Sequence, residues 1–363
     1  MISKNNINII FVTGYMANGG AERVISVIAN GLVNKGYSVS ILAILGDKQD
    51  YEISKRVNYI PFIENSNNQL IRVIKRLMFI RGHINKSKHT IVISFMAQIN
   101  VYAIVANFFN NAKLIVSERN DPNQDPNSKM LRGIRDFLYN FVKGIVFQTP
   151  DAQKYFSKKI QGKSFLIPNP LSEKLPKPFI GKRRKVIVTA TRLSEQKNLK
   201  LLLDSFYKIQ LEFPEYILEI YGEGPLKEEL ISYSDELNIK DKVVFKGFSR
   251  NLHEDILDAS IFVLPSNYEG ISNSLIEALA LGIPVISTDH PIGGAKMYIK
   301  PDNNGLLVPI RDTEALYLAM KKIIDNPSLG NMYSENAVKI RSELEIEKII
   351  SKWESCIFNE TRN

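Results

Sequence analysis

One rhythm, run twice, restricts this chain more than any other feature. INIIFVT is a short apolar run with the pattern of a buried strand. A polar, glycine-bearing loop follows, GYMANGG, and then AERVISVIANGLVNKG. There Val24, Ile25, Ile28 and Leu32 recur at helical spacing, with Gly36 as the stop. SVSILAIL is the next strand, and further strands are expected at TIVISF, AKLIVSE and KGIVFQ. Strand, loop, helix, strand is the unit of a parallel sheet covered by helices. Residues 168 to 185 hold four prolines and six basic residues and read as a linker. The rhythm then restarts with KVIVTAT, NLKLLLDSFYKIQ, YILEIYG, KEELISYSDELN, KVVFKGF, SIFVLPS and GIPVIST. The expected fold is therefore α/β, two doubly wound Rossmann-like domains whose sheets present their carboxyl ends to an interdomain crevice, where open α/β sheets bind ligands. The domains are placed at 1–170 and 171–345. The C-terminal run LEIEKIISKWESCIF, within about 346–363, is expected to be a helix that packs back.

The bulk numbers agree with this plan. A chain of 363 residues suffices for two domains, and 44% hydrophobic with 23% charged residues suits a soluble globular protein. Cys356 is the single cysteine, so no internal disulfide or cysteine-built zinc site is possible. The N-terminus lacks the long apolar core and cleavage site of a secretory signal. The longest apolar stretch, residues 90 to 109, is interrupted by Gln98, Asn100 and Asn107 and reads as strand then helix rather than a membrane span. A net charge of +9 points to nucleic acid, anionic lipid or phosphorylated substrates without choosing among them.

Chemistry is sought in loops that follow strands. SNYEGISNSLIEALALGIPVIST sets Glu269 just before a helix start and Glu277 inside the helix. Ser272 is the expected N-cap, and the amides of Gly270 to Ser274, Asn273 among them, form a pole that attracts phosphate. Carboxylates beside such a pole can hold sugar and ribose hydroxyls. TATRLSEQKNLKLLL places Arg192 and Lys197 after the first strand of the second domain, where two cations can neutralise a departing diphosphate. Gly222, after another strand, permits close backbone approach, and Phe248 can meet a base. In the first domain Gly19 and Gly20 end the first loop, where small residues admit a phosphate. SERNDP brings Glu118, Arg119 and Asn120 to the crevice edge on the acceptor side. No DxD pair and no histidine triad occurs, so no metal centre is inferred.

Residues 70 to 89 carry two helical stripes. Leu70, Val73, Ile74, Leu77, Ile80 and Ile84 form an apolar one. Arg72, Lys75, Arg76, Phe79, His83 and Lys86 form a basic one with an aromatic, which suits an anionic membrane surface.

With these residues in view, the chain resembles family 4 glycosyltransferases of the two-Rossmann-domain, GT-B type. Glu269 and Glu277 match that family's E-x7-E motif, Arg192 and Lys197 its R-x4-K element, and Gly19-Gly20 its first-domain glycine loop. The resemblance is to bacterial enzymes that build capsule, O-antigen or other glycan chains on polyprenyl diphosphate. It implies retaining transfer of a hexose or N-acetylhexosamine from a nucleotide sugar, usually a UDP-sugar, to a lipid-linked saccharide. It implies no metal or other cofactor, and a place on the cytoplasmic face of the inner membrane. By this resemblance Glu269 contacts sugar hydroxyls, Glu277 the ribose, and Arg192 and Lys197 the diphosphate. Two positions depart from the pattern. Asn198 replaces the usual glycine after the lysine, and Arg119 stands about where many members carry a first-domain histidine.

Three other readings compete. A glycoside hydrolase also uses two carboxylates, and a sugar-nucleotide epimerase shares the two-domain form. A nucleic-acid binder would exploit the charge, although no recognition module is visible.

Overall fold

The computed structural model describes residues 4–17, 19–64, 66–84, 89–110 and 112–358. Lys86 of the basic stripe lies outside them. The chain divides into two units, Met1–Pro170 with Glu345–Asn363, and Leu171–Leu344.

In the first unit the chain runs β1 (Asn8–Thr13), α1 (Gly20–Asn34), β2 (Ser38–Ala43), β3 (Asn58–Pro61), α2 (Gln69–Ile84), β4 (Thr90–Phe95) and α3 (Ala97–Asn107). It continues with β5 (Lys113–Ser117), α4 (Lys129–Leu138), β6 (Gly144–Phe147), the short α5 (Pro150–Tyr155) and α6 (Lys158–Gln161), and β7 (Ser164–Leu166). Among the described residues the strands form one parallel sheet in the order β3-β2-β1-β4-β5-β6-β7. Strands β1 and β4 are buried along almost their whole length. This is why they read as unbroken apolar runs rather than alternating ones. The edge strands β3 and β7 are only half-buried, carry no such run, and were not expected from sequence.

The second unit runs β8 (Arg184–Ala190), α7 (Leu199–Glu212), β9 (Ile217–Tyr221), α8 (Lys227–Glu236), β10 (Val243–Gly247), α9 (Leu252–Ile256), β11 (Ala259–Leu264) and α10 (Asn273–Ala280). Then follow β12 (Val285–Thr288), β13 (Leu306–Val308), α11 (Thr313–Asp325), α12 (Pro327–Ala337) and α13 (Ile340–Glu343). Its parallel sheet has the order β10-β9-β8-β11-β12-β13. Ile187, Leu218, Ile220, Ile261 and Val263 pack from it against Leu202 and Phe206 of α7 and Met320 of α11. Gly282 follows the end of α10 in the left-handed region at φ 70°, where glycine is at no steric cost.

The basic linker is not loose at its far end. Arg183 donates to the carbonyls of Leu257 and Ala259 (3.1 Å each) and Gly282 (2.6 Å), stitching the segment into the second unit.

The C-terminal helix α14 (Ile346–Phe358) belongs to the first unit. Trp353 stacks on Phe95 of β4, and Glu354 pairs with Lys35 at 2.5 Å. A Cβ on Gly31 of α1 would stand 2.0 Å from the Ile350 Cδ1, so this glycine lets the two helices meet. No described helix is long and apolar enough to cross a membrane. Residues 90 to 109 are instead β4 followed by α3.

Candidate active site

In the second unit the strand order reverses between β8 and β11, which pair in the sheet. Loops leaving the carboxyl ends of strands at such a switch point face a ready-made ligand position. Here they are residues 191–198 and 265–272, and they are zipped together. The Asn267 amide donates to the Gln196 carbonyl (2.8 Å), the Asn267 side chain to the Glu195 carbonyl (3.1 Å), and Gln196 Nε2 to the Tyr268 carbonyl (2.9 Å).

That zipper sets the Lys197 ammonium against Glu269 Oε1, which also accepts from the Ser266 hydroxyl at 2.8 Å. Glu269 is only 6% exposed. An ion pair sheltered in this way is screened less than a surface one. Sequence reading placed Lys197 and Glu269 near one ligand, and the structure brings them into direct contact. Gln196 and Ser266, which complete the cluster, carry no sequence signal of their own. Asn198 sits at φ 46°, ψ 50° as the N-cap of α7. The left-handed region is where a glycine would cost nothing, and asparagine is among the side chains that tolerate it best. Its amide also donates to Asn267 Oδ1 at 3.2 Å.

Ser272 is the N-cap of α10 by backbone geometry, but its hydroxyl is shared with that of Ser274 (3.1 Å) rather than with a helix amide. The Gly270 turn is held from behind: a Cβ on Gly294 would stand 1.7 Å from the Gly270 carbonyl oxygen. Asn273 opens the helix, and Glu277, 5% exposed, lies one turn in. Oε2 of Glu277 meets His253 Nε2 of α9 at 3.0 Å. His253 was not singled out from sequence, because a lone histidine in NLHEDI has no pattern.

Arg192 is exposed and has no ion pair or hydrogen bond among the described residues. Phe248 is 54% exposed and lines a concavity of about 460 Å³ with Tyr221, Lys246 and Arg250. Gly222, at φ 123°, has the Thr191 carbonyl where a side chain would begin (1.9 Å). Its glycine is demanded by packing of one loop on another.

The first-unit candidates differ from expectation. Beside Gly19 the open space is taken: a Cβ there would stand 1.8 Å from Glu22 Oε2. Gly20 opens α1, and Glu22, whose carboxyl is raised chiefly by burial, folds back over that start. Glu118 is not at an exposed edge but 1% exposed. It accepts from the Tyr139 hydroxyl and lies 3.9 Å from Arg135, and burial pushes its carboxyl up to about 7 against these partners. Tyr139 is in turn held by Asn100, at 2.7 Å. Asn120 turns its carbonyl oxygen to the Asp121 amide (2.9 Å). Arg119 is drawn inward against aromatic rings. Among the described residues no cluster of histidine, cysteine or acidic side chains has metal-ligand geometry.

Residues 172–340 match the family described as Glycosyl transferases group 1. Over 349 residues the chain is 27% identical to the N-acetylgalactosamine-N,N'-diacetylbacillosaminyl-diphospho-undecaprenol 4-alpha-N-acetylgalactosaminyltransferase of Campylobacter jejuni, covering 90% of this chain and 93% of that one. Its fold is similar to that of sucrose-phosphate synthase from Thermosynechococcus elongatus (TM-score 0.84, 18% identity, 98% of each chain). It is also similar to that of Anabaena HepE solved with UDP and glucose (TM-score 0.81, 16% identity, 97% of this chain and 100% of the other). These likenesses establish the GT-B fold.

Proposed function

We propose that this chain, a glycosyltransferase whose residues 172–340 match the group 1 family, transfers a hexose or N-acetylhexosamine from a UDP-sugar to a polyprenyl-diphosphate-linked saccharide, with retention at the anomeric carbon. The observation that carries this reading is the Lys197–Glu269 pair, held by two zipped loops beside the start of α10. Lys197, Arg192 and the first amides of α10 receive the donor's diphosphate and neutralise charge as it departs, so no metal is required. Glu269 has one oxygen committed to Lys197 and Ser266, and the other, which accepts only a long 3.5 Å bond from Gln196 Nε2, takes the sugar hydroxyls. Glu277, braced by His253, accepts from the ribose diol, and Phe248 lies against the base. Gly19 and Gly20 admit donor phosphate only when Glu22 swings aside.

In the reaction the bond from the sugar's anomeric carbon to the diphosphate oxygen breaks. The acceptor hydroxyl oxygen bonds to that carbon on the same face, and its proton passes to the departing phosphate. The likeness to the Campylobacter enzyme, named for a diphospho-undecaprenol substrate, supports the lipid-linked acceptor. An acceptor in a membrane calls for an enzyme at its surface. On α2 the exposed face is Leu70 (68%), Ile71, Ile74 and Met78 (66%). On α4 it is Met130, Leu131, Ile134 and Phe137, with Phe141 beyond. Both helices pack on α3. Lys129, Arg132, Arg72, Lys75 and Arg76 flank these apolar rows, as an anionic cytoplasmic leaflet would require.

The test is a panel of UDP-sugars with lipid-diphosphate saccharides, read by mass spectrometry. Lys197→Ala is expected to lower kcat/KM by about a hundredfold or more, and Glu277→Ala to lower it severely through donor binding, each with Tm near wild type. Wild-type turnover in both variants would remove the site assignment.

A further inference from the structure

In the first unit three shielded hydrogen-bond donors, on Arg119 and Trp353, have no acceptor among the described residues. Arg119 follows β5, and its guanidinium carbon lies 4.3 Å from the Phe95 ring centroid and 5.6 Å from that of Trp353. The two rings are themselves stacked. Nη1 donates to Asn169 Oδ1 at 2.9 Å, and Asn169 is pinned by Gln148 Nε2 at 2.7 Å. Here the partners stop. Nε and Nη2 of Arg119 are shielded from water and have no acceptor among the described residues. The Trp353 indole Nε1, also shielded, has none either. Desolvation alone draws the guanidinium down, to about 9, with no carboxylate opposing it. Arg135, fully buried in the same unit where Arg119 is half-buried, is a contrast. It is bonded to Asp136 (2.8 Å), to the carbonyl of Pro122 (3.0 Å) and to that of Asp125, and lies near Glu118.

Arg119 as a whole is half-buried, but donors shielded from water are almost always matched, and leaving them unmatched is expensive. Nε and Nη2 make up one lateral edge of a guanidinium, the fork that grips two oxygens of one oxyanion. The Trp353 indole N–H, from α14, is a further shielded donor on a ring that the guanidinium lies over. Arg23, from the first turn of α1, reaches the Pro170 carbonyl at 3.3 Å, next in sequence to Asn169, and adds positive charge to the neighbourhood. We propose that Arg119, with the Trp353 indole N–H, forms a subsite in the first unit for a phosphate oxyanion of a substrate. Since these nitrogens are covered, the anion enters only as the side chains over that edge part. The choice of phosphate rests on the glycosyl-transfer reading, in which donor and acceptor both carry a diphosphate. The existence of an oxyanion subsite does not.

The test therefore begins with binding rather than turnover. Isothermal titration of the full chain with UDP, inorganic pyrophosphate and a short-chain prenyl diphosphate is compared for wild type, Arg119→Lys, Arg119→Met and Trp353→Phe, with Tm measured for each. Arg119→Lys keeps charge and loses the fork. It is expected to weaken one of these ligands by about tenfold or more, Arg119→Met by more, and Trp353→Phe by a few-fold, with the aromatic floor kept. Loss confined to UDP assigns the subsite to the donor and should reappear as a raised KM for the nucleotide sugar. Loss confined to the prenyl diphosphate assigns it to the acceptor. Should Arg119→Lys fold with an unchanged Tm and bind all three ligands as the wild type does, the subsite is refuted, whether or not glycosyl transfer is found. An Arg119→Lys that does not fold passes the decision to Trp353→Phe, whose unchanged affinities refute the proposal equally.

Discussion

A single left-handed residue holds the key lysine in place. Asn198 directly follows Lys197, starts α7 and sits at φ 46°. Asn198→Gly should leave stability within about 1 kcal/mol of wild type and activity largely intact. Asn198→Val should cost about 1–3 kcal/mol, since a β-branched residue resists the left-handed region. Its kcat should fall further than its stability, because Lys197 moves off Glu269. Thermal melts and steady-state rates check both, and equal behaviour of the two variants would count against the strain argument. At this scale the sequence was readable where one loop carries its own chemistry. Glu269, Arg192 and Lys197 lie in loops that follow strands, and Glu277 lies in the helix that one of those loops opens; the polarity of these segments marks them as candidates. His253, Gln196, Ser266 and Trp353 were not readable. Each acts on a partner that comes from another loop or helix, and local pattern holds no record of such a pair. Glu118 misled for the same reason: it looks like a loop charge, yet Tyr139 and Arg135, contributed from beyond its own loop, enclose it.

Elements were largely legible, because period and length separate buried strands from amphipathic helices. What pattern could not settle was which face of α2 is covered. Leu70 and Ile74 belong to the apolar stripe by spacing, yet both are exposed, while Ile80 and Ile84 are buried. The aromatic of the basic stripe, Phe79, turns inward against Phe62 (4.9 Å), and Lys75 is paired with Glu64 at 3.1 Å. The outward face of α2 is thus more apolar than its helical wheel suggests. Replacing Leu70, Ile74 and Met78 together by Ser should weaken binding to anionic liposomes more than replacing Arg72, Lys75 and Arg76 by Ser. The first set removes buried-contact area and the second mainly salt-sensitive attraction. Sedimentation with vesicles at low and high salt separates the two, and equal binding by all variants would dismiss this face.

At the scale of the whole chain, the last helix is structurally part of the first unit. Ile350→Ala, at the point where α14 meets Gly31, should cost about 2–5 kcal/mol. It should lower only the first unit's calorimetric transition, and a drop shared by both units would contradict that placement. The sequence by itself determined the two parallel-sheet units, the strand-to-helix loops at which donor chemistry is proposed, and the resemblance to glycosyltransferases. These follow from short-range periodicity and from residues that act in their own loop. Only the tertiary structure decided that Lys197 is spent on Glu269, that Glu118 is enclosed, and that Arg119 lies against the rings of Phe95 and Trp353 with two of its nitrogens unmatched among the described residues. Those outcomes depend on side chains far apart in sequence and on the burial that sets the worth of a charge. Neither quantity exists until the chain has closed on itself.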